Sequence, residues 1–173
     1  MRMKFTDVER LILANQFEIL AKLKGDSSDA RLAEQLRDGH EWLYAQAFDW
    51  FSPNLPSGEA DHVVQILGIY SALRDSYDAL EDKTGIDPHA IGFPGFDGNN
   101  EGELLAFSVA LRDAGRFVST VPQHGKNSHH PTTEMYSRII AKWRELGKPL
   151  YPYSKETILA LVDARKHPES RES

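Results

Sequence analysis

A chain of 173 residues that is 40% hydrophobic and 27% charged suits one domain with a sizeable core and is too apolar to stay unfolded. It contains no cysteine, which excludes disulfides, thiol nucleophiles and Cys-based zinc sites and favours a reducing cytoplasm. Its formal charge of −6 argues against general nucleic-acid binding.

The first residues, MRMKFTDVERLILANQ, lack the apolar run and small-residue cleavage site of a secretory leader. No window approaches the length of a membrane span, so no membrane partner is expected. Thr6 to Glu9 read as a capping box that opens a helix. Val8, Ile12, Ile19 and Leu23 follow the helical period, with Leu13, Phe17 and Leu20 beside them, and Gly25 stops the helix. Ser28 or Asp29 caps a second helix through Leu32, Ala33 and Leu36, which Gly39 ends. A third piece runs from His40 to Phe51 and breaks at Pro53 and Pro56.

That third piece holds Trp42, Tyr44, Phe48, Trp50 and Phe51. On a helix they cover most of the circumference, more than one core face can bury. Core packing together with a surface shared with a second copy is the expected use, with a groove for a peptide or ligand as the alternative. Basic residues to accompany base stacking are missing there.

Ser57 caps the longest helix, over about 58–83, with Val63, Ile66, Leu67, Tyr70, Leu73, Tyr77 and Leu80 on its face. A glycine-rich loop, GFPGFDGNNEGELL, follows at 92–105. Asn100 with Glu103 caps a fifth helix to Leu111, closed by Gly115. RFVSTV at 116–121 is the one candidate strand. A sixth helix spans about Thr133 to Leu146. Ser154 caps a last one, Ile158 to Arg165, and 166–173 read as a disordered tail. The expectation is an all-α, multihelical single domain over 1–165 with about seven helices. A candidate division into 1–83 and 84–165 lies at the glycine-rich loop.

Charge is uneven. Residues 57–104 set ten acids against Arg74 and Lys83, whereas 112–148 set seven bases against three acids. The two stretches are either solvated faces or complementary ones.

The glycine-rich loop imitates a calcium loop. Asp97, Asn99 and Glu101 take its first three ligand positions and Gly102 the sharp turn, but Ser108 stands where a bidentate Glu is needed. His124, His129 and His130 cluster between prolines. The adjacent pair points apart on most backbones, so no metal site is assigned. Nucleotide-loop and nucleophile-elbow patterns are absent, no cofactor is indicated, and the identity of any small-molecule ligand is left open.

Four stretches, ERLILANQ (9–16), GFDGNNE (95–101), GRF (115–117) and HGKNSHHPTTEMYSRIIAKW (124–143), resemble the YfbU family of bacterial proteins. The resemblance covers roughly 4–165. It implies a cytoplasmic, all-helical, oligomeric protein of a Gram-negative bacterium, and it brings no catalytic residue or cofactor with it. GNNEG and the RKHPESRES tail depart from the family pattern.

The two loop-borne stretches suggest that Asp97, Glu101, Arg116, His124, Asn127 and Tyr136 meet. They either line one polar pocket or lock loop 84–100 to loop 116–131, with Asp97 paired to Arg116. Two functions follow. One is a homo-oligomeric binding or regulatory module. The other is a hydrolase or nuclease using His124 with Asp97 or Glu101.

Overall fold

The computed structural model describes residues 3–166. All regular structure among them is helical: eight α-helices and one 3-10 turn, with a single isolated β-bridge and no strand. RFVSTV is therefore not a strand. It is a turn in which Phe117 takes φ 54°. The tail expected to be disordered lies outside the described residues, apart from Lys166.

The described residues form two compact units, one up to Asn54 and one from Leu55. The 83/84 position falls inside the second unit.

In the first unit, α1 (Asp7–Lys24) begins at the capping box of Thr6 and Glu9 and ends on Gly25 at φ 69°. Helix α2 (Ser27–Asp38) is capped by Asp26, two and three residues earlier than the Ser28 and Asp29 alternatives. Arg10 donates to the Leu36 carbonyl (3.2 Å) and Arg37 to Asn15 (3.3 Å), which ties α1 to α2. The third piece is not one helix. Helix α3 (Glu41–Ala45) passes into a 3-10 turn, Gln46–Phe48, and stops there. The core is small: Ala14, Leu36 and Tyr44, with Phe5, Leu13, Phe17 and Leu32 against them.

The second unit is organised on α4 (Ser57–Ala79), whose Val63, Ile66, Leu67, Tyr70 and Leu73 are almost fully buried. Around it stand the short α5 (Pro88–Ile91), α6 (Gly102–Asp113), α7 (Thr133–Glu145) and α8 (Lys155–Asp163). Asp87 caps α5 and Pro88 opens it, a start signal not read as a helix above. Ser154 caps α8 as expected. Phe93, Phe96, Leu111, Val121, Tyr136, Ile139, Ile140, Ile158 and Leu161 complete this core.

Candidate functional site

The glycine-rich loop is held by its aromatics. Phe93, Phe96, Tyr70 and Tyr136 form one cluster with ring centroids 5.3–6.0 Å apart. Burial pushes the Tyr70 phenol up to about 12, and burial raises that of Tyr136 as well. The Tyr136 hydroxyl donates to the Gly95 carbonyl, and Thr132 Oγ1 lies 3.2 Å from the same oxygen.

The main chain then joins the two loops directly. Phe96 N–H donates to the Lys126 carbonyl (3.1 Å), and Ser128 N–H donates to the Phe96 carbonyl (3.1 Å). This is the parallel bridge between Phe96 and Asn127. Gly95, at φ +101°, makes the approach possible, because a Cβ there would lie 2.0 Å from the Lys126 carbonyl oxygen. Asn127 Oδ1 accepts from Gly98 N–H (3.1 Å) and His129 N–H (2.8 Å).

Glu101 is the second fastening. It is 8% exposed and accepts five hydrogen bonds. Thr132 and Thr133, at the start of α7, each give a backbone N–H and a hydroxyl at 2.6–2.7 Å, and Asp97 N–H gives the fifth at 2.9 Å. Burial pushes this carboxyl up, but the donors of Thr133, Asp97 and Thr132 outweigh it and bring it down to about 2. A carboxylate at the N-terminus of α7 also meets the positive end of that helix. Asp97, 2% exposed, spends its oxygens on Asn99 N–H (3.1 Å) and the Asn100 amide. Two of the oxygen ligands of the apparent calcium loop are thus committed to protein donors. Helix α6 begins at Gly102, which leaves no room for a twelve-residue loop.

Of the expected set, Asp97, Glu101, Asn127 and Tyr136 meet, and they meet as a lock between loops. Arg116 and His124 stand apart. The guanidinium of Arg116 lies over the Phe117 ring at 5.2 Å, so the expected Asp97–Arg116 pair does not form. His124, His129 and His130 are all exposed. Among the described residues no three His, Asp or Glu side chains are grouped to hold a metal.

A cleft of about 750 Å³ in the second unit lies beside this lock. Glu59 and His62 of α4 form one wall, and Asn100, Glu103, Thr133 and Ser137 the other. Glu101 is the one member of the expected set that reaches it. The hydroxyl of Thr133 donates to Glu101 and that of Ser137 to the Thr133 carbonyl. His62 is half-buried, and its Nε2 is buried without a protein partner. Burial first, and then the charge of Arg144, lower its pKa, while Glu101 acts in the raising direction. Sequence reading missed His62 because a lone histidine on a helix carries no pattern. It missed the Thr132–Thr133 pair too, although such residues commonly sit at helix starts.

In the first unit the five aromatics separate. Tyr44 is buried. Phe48 is half-buried against Phe5 (5.0 Å) and Phe17 (6.2 Å). Trp42, Trp50 and Phe51 are exposed by 63, 78 and 56%. Helix α1 turns only one of its two apolar sides to the core. Leu13, Phe17 and Leu20 are half-buried, Leu13 and Phe17 against the small core, while Val8, Ile12, Ile19 and Leu23 point into solvent.

Among the described residues no helix is long and apolar enough to cross a membrane. The chain is 30% identical over 167 residues to a UPF0304 protein of the archaeon Methanocaldococcus jannaschii, covering 91% of this chain and 98% of that one. It is 29% identical over 146 residues to a UPF0304 protein of Pasteurella multocida, covering 82% and 88%. Similarity thus extends beyond the Gram-negative bacteria that the resemblance implied. The YfbU domain model matches residues 3–164, and the chain belongs to the YfbU family.

Proposed function

We propose that this chain is a homo-oligomeric helical binding or regulatory module of the cytoplasm. The observation that carries the reading is the exposure of Trp42, Trp50 and Phe51 on the first unit. A large aromatic side chain offers roughly 150–250 Å². Burying the exposed part of each against a partner is worth on the order of 3 kcal/mol at about 25 cal/mol per Å². Aromatics of this kind are the usual anchors of protein interfaces. The cysteine-free composition supports a reducing compartment. The binding part of the reading rests on the cleft beside His62, whose size suits a small molecule.

Native mass spectrometry of the full chain over a range of concentrations tests the reading. An oligomer is expected, and its mass should fall in a Trp42→Ser/Trp50→Ser/Phe51→Ser variant with unchanged helical circular dichroism. A single-chain mass at every concentration overturns it.

A further inference from the structure

Helix α1 is apolar on two opposite sides. Phe17 and Ala14 face the small core of the first unit. Val8, Leu11, Ile12, Ile19 and Leu23 are exposed by 66, 57, 54, 52 and 77%. At 3.6 residues per turn these five fall in a stripe about 120° wide, centred opposite Phe17. Within the first unit, Tyr44 and Phe48 pack on Phe5 and Phe17, so the stripe lies on the side of α1 away from the aromatic segment.

Four of these five, all but Leu11, are symmetrical about the middle of the helix. Val8 and Leu23 are equally far from the centre of Asp7–Lys24, and so are Ile12 and Ile19. The ends carry opposite charge, with Asp7 and Glu9 in the first turn and Lys22 and Lys24 in the last. Laid antiparallel on its own copy, the helix sets Val8 against Leu23 and Ile12 against Ile19. The net-acidic first turn then lies beside the net-basic last turn of the copy, although Asp7 pairs with Arg10, Lys22 with Glu18 and Lys24 with Asp29 within each chain, and the helix dipoles oppose. A parallel arrangement would bring like charges together at both ends.

We infer that α1 docks antiparallel on the α1 of a second copy across a two-fold axis, the self-complementary contact of a symmetric dimer. This rests on the reading of the chain as self-associating and adds a second self-contact, on a face separate from the exposed aromatics, together with its direction.

The absence of cysteine makes the test clean. Full-length Val8→Cys, Leu23→Cys and the double variant are oxidised with copper phenanthroline and run on non-reducing gels, and the unmodified chain is weighed by native mass spectrometry. Within one chain the two positions are about 22 Å apart along the helix, too far for an internal disulfide. A covalent dimer is expected from the double variant and from the two singles mixed, with neither single cross-linking alone. Singles that cross-link to themselves as readily as the mixture would mean a parallel pair and overturn the inference. No cross-link from a chain that still weighs as an oligomer overturns the α1 contact and leaves self-association standing. A single-chain mass throughout overturns both.

Discussion

The carboxylate of Glu101 takes both the backbone N–H and the hydroxyl of Thr132, a residue 31 positions further along the chain. One buried charge thereby ties the start of α6 to the start of α7. Replacing Glu101 by Gln keeps the shape but substitutes an amide, itself a donor, for an oxygen that faces donors. The expected loss is about 2–4 kcal/mol, the range for breaking a buried charged network. A fall in Tm of several degrees or more, followed by circular dichroism, is the corresponding observation. A variant that melts with the wild type would mean that the lock carries no stability.

The same carboxyl sets a pH dependence. Its folded value is about 2 against an ordinary 4.5. A depressed carboxyl contributes its full stability above the unfolded value and loses it as pH falls from about 4.5 to about 2. That contribution is on the order of 3 kcal/mol. Urea denaturation at successive pH values should show a steeper acid-side decline in the wild type than in Glu101→Gln. Identical slopes would remove Glu101 from the acid response.

Gly95→Ala should be among the most damaging single changes. The added methyl would meet the Lys126 carbonyl oxygen at 2.0 Å, on main chain that cannot swing away. Opening the Phe96–Asn127 bridge also strands buried hydrogen-bonding groups, so a loss above about 3 kcal/mol is expected. Gly58→Ala is the control. Nothing lies within 4 Å of its Cβ position in α4, and a gain of up to about 1 kcal/mol is expected. Thermal melts of the two variants should move in opposite directions.

Phe48 and Trp50 are near neighbours in sequence with different expected roles. Phe48→Ala removes a ring packed between Phe5 and Phe17 and should cost the first unit about 2–3 kcal/mol. Trp50→Ala, at a side chain 78% exposed, should leave the melt unchanged and weaken self-association, read by sedimentation. Equal destabilisation by both would remove Trp50 from the proposed interface.

Much of the helical frame was legible because its ends are written locally. The Thr6 capping box, the Ser154 cap and the stop at Gly25 each need only neighbouring residues. Periodicity placed Val8, Ile12, Ile19 and Leu23 on one face of α1. A helix that is apolar on two sides does not declare which of them meets the core, and here the other side does. The lock was half legible. The two loops stood out by their glycines and polar residues, but the pairing of Asp97 with Arg116 was read from charge alone. The fold instead spends Asp97 on its own turn and fastens the loops through Glu101, Asn127 and main-chain atoms. Choices of that kind depend on tertiary register, which no local pattern encodes.

The bridge at Phe96 and Asn127 closes the intervening segment, which contains all of α6, into a loop pinned at its root. Entry and exit of that segment are neighbours, so it is topologically a cassette. A protease nick at the exposed Arg116 would sever the chain and leave both pieces clasped at the root by Glu101 and the bridging amides.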